Sequence, residues 1–335
     1  MVDKVAANRS TGAPRMYGFT ATTDYEWYTY LCTRPDFDEA NFWAPSGRAA
    51  LGTVPFGSPF FFKLKSPHNA IGGFGFLGPI TTVPLSLAWE AFGQKNGAPD
   101  LPTMAARIRR YRKDSVVEKA SFDPPVGCRT ILQPTFFPPE AWVSAPTDWS
   151  PNIVQGKTYD LTRGEGQRMW MACQEQTSAR QALIIGDQTG RAAEPAERYG
   201  REVTYCPRLG QGAFRLAVTD AYGRACAVTG EHSLPVLDSA HIQPYADGGA
   251  HEVSNGLLLR ADLHRLYDRG YVTVTPDFEF RVSAALREEY ENGRIYYDLE
   301  QSLRDGGRVI RLPGNPGHRP DRDRLAWHGD TIFRG

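Results

Sequence analysis

From Tyr17 to Asp160, short apolar runs alternate with Gly and Pro turn signals, as in FGSPFFFKLKSPHNAIGGFGFLGPI (56–80). That rhythm predicts strands, and strands spaced this closely predict a barrel-like β-rich domain. Two segments break the rhythm with helical spacing. LSLAWEAFG (85–93) places Leu85, Ala88, Trp89 and Phe92 on one face and ends at Gly93. TMAARIRRYRK (103–113) predicts a second helix with Thr103 as its N-cap.

Beyond residue 165 the pattern changes. Residues 166–200 are polar and rich in Gly, Gln, Arg and Glu, and read as a connector, loosest over 185–200. A second unit begins near Arg201. RLGQGAFRLAVTDAYG predicts a helix up to Gly223, CAVTGEHSLPVLDSAHIQP two short strands around a turn, and LLRADLHRLYDRG a helix stopped by Gly270. YVTVTPDFEFRVSA predicts a last strand pair with a Pro-Asp turn. The expected layout is a polar tail (1–16), a β-rich domain (17–165), a connector (166–200) and a C-terminal unit (201–335). The fold class is α+β.

Composition narrows the function classes only modestly. Net charge is zero, so a nucleic-acid site has to be a local patch. Five scattered cysteines without a CxxC pair argue against a disulfide framework and a four-cysteine zinc site, and point to a reducing, cytoplasmic home. No apolar run approaches the roughly 18 residues of a spanning helix, so no membrane partner is expected. GFGFLG (73–78) satisfies GxGxxG, but Pro79 and a β-branched run follow where a phosphate-binding helix should start. It reads as a glycine-rich strand, and no NAD is expected.

The second unit holds the residues with chemical promise. His241 ends an apolar strand that also carries Asp238, Asn255 closes a turn-rich loop, and His264 lies on the next helix. Together they offer a carboxylate and an imidazole for a hard divalent ion, and a second imidazole to accept a proton. Taken singly, each has an ordinary structural explanation: a hydrogen-bonded histidine, or an Asn-Gly turn.

Their joint spacing matters more. His241 to Asn255 is fourteen residues and Asn255 to His264 nine. VLDSAHIQPYADGGAHEVSNGLLLRADLHRLYDRGYVTV resembles the HNH endonuclease family, with its ββα-metal core, over roughly residues 210–280. The branch it is most similar to carries C-x-x-T-G (226–230), AHI-x-P (240–244), NGLLL (255–259) and DLH-x-L-x-D-x-G (262–270). The resemblance implies His241 as general base, Asn255 steadying the loop, and His264 binding one divalent ion, Mg²⁺ or Mn²⁺. Many members have Asp or His directly before the base, where this chain has Ala240. Asp238 is the nearest replacement ligand, but strand alternation puts it on the face opposite His241 unless a bulge or strand end intervenes. Thr229 stands where a zinc-binding cysteine would be, so no structural zinc is expected and Cys226 reads as a buried thiol.

The implied partner is DNA. RIRRYRK offers Arg107, Arg109, Arg110, Arg112 and Lys113 to a DNA backbone, and Arg260 and Arg265 flank the histidine helix. For each, a solvated helix face is the alternative. The β-rich segment is faintly similar to PUA-like barrels, some of which read modified bases. Trp27, Trp43 and Trp89 are the candidate stacking faces, with core packing as the alternative. The reading is a restriction- or defence-type HNH DNA endonuclease, with a homodimer as an open alternative to a single chain. The competing reading is a catalytically degenerate HNH-fold nucleic-acid-binding protein.

Overall fold

The computed structural model describes residues 15–34, 36–52, 54–112, 122–189 and 209–335. In chain order the elements are β1 (Tyr17–Thr23), α1 (Tyr25–Cys32), β2 (Glu39–Asn41), β3 (Pro59–Leu64), β4 (Ala70–Pro84), α2 (Leu85–Phe92), α3 (Leu101–Tyr111), β5 (Pro125–Phe136), β6 (Val143–Ser144), β7 (Gly156–Asp160) and α4 (Gly164–Thr189). There follow α5 (Gln211–Ala221), β8 (Leu237–His241), β9 (Gly256–Arg260), α6 (Ala261–Asp268), β10 (Val272–Val274), β11 (Phe280–Val282), α7 (Ala285–Tyr290), α8 (Arg294–Asp305) and α9 (Arg322–Thr331). They fall into two compact units interleaved along the chain. Among the described residues, those within 1–36, 51–77 and 133–205 make up one, and those within 37–50, 78–132 and 206–335 the other.

In the first unit the sheet order is β4-β3-β1-β7, with β6 on the outer side of β4. PFFFKL is buried along its whole length, as expected of a strand covered on both faces. It runs parallel to β1, Phe19 opposite Phe60. Phe61 packs with Phe74, Phe137, Tyr159 and the α4 residues Met169 and Cys173. Phe62, the next residue, takes the edge of Trp27 at 5.4 Å. No closed barrel forms among the described residues, which corrects the barrel-like expectation. β7 leads straight into α4, and that helix covers the sheet instead of another strand closing it. The α+β class stands.

Residues 164–189, which start two residues before the expected connector and run through much of it, form this long helix. Met169 and Cys173, one turn apart and fully buried, supply its apolar stripe. Most of the expected 1–16 tail, residues 190–200, Lys113 and Cys206 lie outside the described residues.

The second unit is built on the hairpin β8–β9, with α5 and α6 packed against it. Its core gathers Phe214, Val218 and Tyr222 of α5, Leu257–Leu259 of β9, Leu263 and Tyr267 of α6, and Leu325 of α9. Only β8 is a strand within 226–241; the expected partner strand before it is a run of turns, because Cys226 and Gly230 close a hydrogen-bonded turn there. At α3 the N-cap is Asp100 rather than Thr103. The Asp100 carboxylate accepts the Thr103 N–H at 2.7 Å, and Pro102 fills the first turn, where no amide is needed. Gly270 follows the end of α6 as expected, at φ +73°. A Cβ there would lie 2.0 Å from the Ile332 carbonyl, so only glycine lets the chain beyond α9 return to this turn.

A buried carboxylate fixes α5. Glu39, fully buried on β2, accepts the amides of Gly212 at 2.8 Å and Ala213 at 2.9 Å. Those are orphan donors of the helix's first turn, and a negative charge there also meets the positive end of the helix. Lys95 lies 3.2 Å from the same carboxylate and balances it.

Candidate functional site

His241 is the last residue of β8, opposite Gly256 of β9. Register is regular from Leu237 to His241, so no bulge reorients the strand. The imidazole lies flat on Phe214 of α5, centroids 3.9 Å apart and planes 10° from parallel. Gly256 permits this approach. A Cβ there would sit 2.4 Å from Val218, one turn along α5 from Phe214. Ser239, two residues before the histidine, donates to the Arg215 carbonyl at 3.0 Å and ties the strand to the same helix.

Burial pushes the His241 imidazole down to about 4, and the nearby His251 and His264 push in the same direction. The ring is therefore neutral at neutral pH, the state a proton acceptor needs. Its Nε2 is buried and finds no hydrogen-bond partner among the described residues.

Asn255 is fully buried and spans the loop ends. Its Oδ1 accepts from the Gln243 amide at 3.0 Å, while Nδ2 donates to the carbonyls of Gln243 and Ala250, both at 2.9 Å. Its own carbonyl accepts the Ile242 N–H. The side chain thus pins the residues that follow His241. Gly249 completes the tight loop, since a Cβ there would meet the Gln243 carbonyl at 1.9 Å.

His264 on α6 stands between two carboxylates. Nδ1 is 3.4 Å from Asp238 Oδ2, and Nε2 is 3.3 Å from Asp268 Oδ2 one helical turn on. Burial raises the Asp268 carboxyl; His264 opposes that rise and Asp238 adds to it. So Asp238 does meet His264, and His241 sits on Phe214. The two nitrogens of one imidazole point apart, so a single ion cannot bridge both carboxylates through it. Among the described residues, no three His, Cys, Asp or Glu side chains converge to hold a metal. A two-donor cradle remains, Asp238 Oδ2 with His264 Nδ1. It suits a hard cation that keeps much of its water.

Cys226 is buried, and its Sγ accepts the amides of Thr229 at 3.5 Å and Arg260 at 3.3 Å. Arg260 binds Asp262 through two short contacts, 2.6 and 2.7 Å, and Tyr296 donates to the same carboxylate at 3.1 Å. Arg265 is exposed on α6. On α3, Arg109 and Arg110 are exposed, while Arg107 donates to the Gly97 carbonyl at 2.6 Å. Arg112 donates to the carbonyls of Pro45 and Pro125, each at 2.9 Å. Trp27 is 2% exposed; Trp43 is 8% exposed, and its Nε1 donates to the Asn96 carbonyl. Trp89 is half-buried.

Three residues at the site are not evident from the sequence reading. Asp268 sits inside the DLH-x-L-x-D-x-G pattern, and its i,i+4 spacing from His264 was the available signal. Phe214 and His251 reach His241 only through tertiary packing, and nothing in their local sequence marks them.

Residues 226–275 match the HNH_2 family model, described as HNH endonuclease. No curated protein matches the chain. Among solved structures, a mutant of the ZmASCH protein from Zymomonas mobilis aligns at 11% identity and a TM-score of 0.29, covering 48% of this chain and 98% of that one. Over that segment the chain is similar to HNH endonucleases, a likeness that suggests endonuclease activity on nucleic acid. No described helix is long and apolar enough to cross a membrane.

Proposed function

We propose that this chain, with its HNH endonuclease segment at 226–275, is a metal-dependent DNA endonuclease of restriction or defence type. The observation that carries the reading is the meeting of β8 and α6. Asp238 and His264 lie 3.4 Å apart, and neutral His241 ends the same strand. His241 takes a proton from a water molecule whose oxygen then bonds to phosphorus. The P–O3′ bond breaks, and the departing oxygen takes a proton from solvent. Asn255 holds the loop so that His241 keeps its place during this exchange. Asp238 and His264 would hold the ion. Mg²⁺ or Mn²⁺ bound there supplies stabilisation of the charge that develops on the phosphate.

In this reading Arg107, Arg109, Arg110, Arg112, Lys113, Arg260 and Arg265 are the candidate backbone contacts. The β-rich segment, PUA-like in its pattern, reads the DNA and selects modified cytosine. The test is cleavage, with Mg²⁺ or Mn²⁺, of matched plasmids carrying unmodified, methylated, hydroxymethylated or glucosylated cytosine. Cutting of one modified class, abolished in His241→Ala with binding retained, is the expected result. Equal cutting by wild type and His241→Ala removes His241 as the base, and equal cutting of all plasmids removes the reader role.

A second reading, a nucleic-acid-binding protein with a degenerate HNH site, is favoured by Ala240 and by the two-donor cradle. Calorimetry with Mn²⁺ separates the two, because the degenerate site leaves the cation unbound.

A further inference from the structure

Lysine is among the residues least often buried, and inside a protein its ammonium is expected beside a carboxylate. Lys63 departs from both rules. It lies in the otherwise apolar strand PFFFKL and is 5% exposed. Its Nζ donates to Asn69 Oδ1 at 2.9 Å and stands over the Trp149 ring, 5.3 Å from the centroid. Among the described residues no carboxylate pairs with it, and burial lowers its pKa unopposed. The Asn69 oxygen occupies one of three donors. Methionine would fill the same place without desolvating a charge, so packing does not account for the lysine.

The backbone is shaped around this position. Phe61 faces Phe74 and Lys63 faces Ile71, so Gly72 and Gly73 of β4 together oppose Phe62. A bulge of this kind re-aims the side chains beside it. On the other edge of β3, Lys63 faces Thr22 of β1, and Thr22 holds the loop that carries Trp149. Its amide donates to the Gln155 carbonyl at 2.9 Å and its hydroxyl to the Ile153 carbonyl at 3.5 Å. Asn69 is exposed and Trp149 half-buried, so the cluster opens to solvent.

With Oδ1 taken by Lys63, the Asn69 amide presents Nδ2 as a donor. An ammonium and an amide N–H next to an indole face complement a flat ring with two neighbouring acceptors on one edge. Cytosine has that edge, in N3 and O2. Thymine and guanine interrupt it with a ring N–H, and adenine offers one acceptor there. In a duplex this edge is paired, so it is reached only in an extruded base. Carbon 5, which bears methyl and hydroxymethyl groups, lies away from these donors.

We propose that Lys63, Asn69 and Trp149 form a site for one extruded cytosine. Trp149 takes the face of the ring, and the Lys63 ammonium and Asn69 amide donate to O2 and N3. The site rests on the reading of the β-rich segment as a DNA reader, and Trp149 supplies the stacking face that buried Trp27 and Trp43 do not.

The experiment uses the full chain in EDTA, so that the probes stay uncut. The probes are duplexes with 2-aminopurine beside one cytosine, which is unmodified, methylated, hydroxymethylated or glucosylated. Extrusion of the cytosine unstacks its neighbour and raises the fluorescence. Wild type is expected to brighten one modified duplex, and to leave dark a duplex with thymine at that position. Lys63→Met is expected to lose most of the rise and to bind the preferred duplex at least tenfold more weakly. Its urea midpoint is expected to equal or exceed that of wild type, because a buried charge without a carboxylate is removed. Trp149→Ala is expected to lose the rise, and Trp149→Phe to keep affinity within threefold of wild type. Brightening and preference unchanged in Lys63→Met overturn the site and leave the reader role to other residues. A lower urea midpoint in Lys63→Met with unchanged brightening makes the lysine structural and overturns the site as well. Wild type that brightens all the cytosine duplexes alike overturns selection of modified cytosine; the site then stands if Lys63→Met loses the rise and falls if it does not. No brightening by wild type overturns the site.

Discussion

Phe214 and His241 are stacked face to face, 3.9 Å between centroids, and this contact gives the candidate base both its orientation and its neutrality. The phenyl ring removes water from one whole face of the imidazole. Leucine at position 214 keeps the site apolar but loses the flat surface. Phe214→Leu is expected to cost about 1 kcal/mol in urea unfolding. The same variant is expected to lower the nicking rate about tenfold, since the ring can then tilt. An unchanged rate with the expected loss of stability would show that the stack serves folding alone.

Glu39 acts on the same helix at its first turn, beside Phe214. Removing its carboxylate leaves two buried amides of α5 without acceptors and Lys95 without its buried partner. Glu39→Ala is expected to lose about 3 kcal/mol of stability, and Glu39→Gln less, because one amide oxygen survives as an acceptor. Gly210→Ala belongs to the same contact, with its Cβ 2.3 Å from the Glu39 carboxyl carbon. The double variant Glu39→Ala/Gly210→Ala should therefore cost less than the sum of the two singles in chemical denaturation, the mark of a shared interaction.

What the sequence disclosed follows from how far each signal reaches. Spacing along one element carried α2, the helix up to Gly223, the stop at Gly270 and the β10–β11 pair with its Pro-Asp turn. Motif order singled out His241, Asn255 and His264, because their spacing is written along one short stretch of chain. Contacts made across elements left no such trace. Glu39 reads as one acid in DEANFW, and nothing local couples it to Gly212. The stripe on α4 is narrow, with Met169 and Cys173 set among polar residues, so the helix resembled a connector. PFFFKL gave a strand, but not its parallel pairing to β1, which depends on the chain crossing between them. Asp238 was the doubtful residue because alternation separates it from His241. The structure pairs it with His264 instead, without bending the strand.

His328 offers a pH test away from the site. It is 2% exposed and stacked on Tyr267 at 3.7 Å. Nε2 donates to the Tyr267 carbonyl, so Nδ1 accepts from the Thr273 hydroxyl at 2.9 Å. Burial lowers its pKa to about 4, outweighing the carbonyl bond, which raises it. The unfolded chain thus binds more protons than the folded one between about pH 4 and 6.5, and stability rises with pH across that window. The stabilisation from the neutral ring is fully present above pH 6.5 and lost as pH falls through 4, on the order of 3 kcal/mol in all. His328→Leu should be less stable at pH 7.5 but show a flatter pH dependence between 6.5 and 4. A slope equal to that of wild type would mean that other groups set it.

Arg260 caps the start of α6 and Arg265 lies on it, and the two are expected to behave differently. Arg260 is committed to Asp262 by two short charge-assisted bonds, and Tyr296 donates to that carboxylate as well. Its removal frees a carboxylate at the start of α6, so Arg260→Ala should lower stability by about 1 kcal/mol or more. Arg265 is exposed on the following turn. If it neutralises a phosphate, Arg265→Ala should weaken binding to all DNA sequences alike. It should also reduce the slope of log affinity against log salt by about one, with little change in stability. Filter binding from low to moderate salt, set beside urea unfolding of each variant, distinguishes the two roles. A reduced salt slope in Arg260→Ala would mean that the Asp262 pairing opens to let this arginine reach DNA.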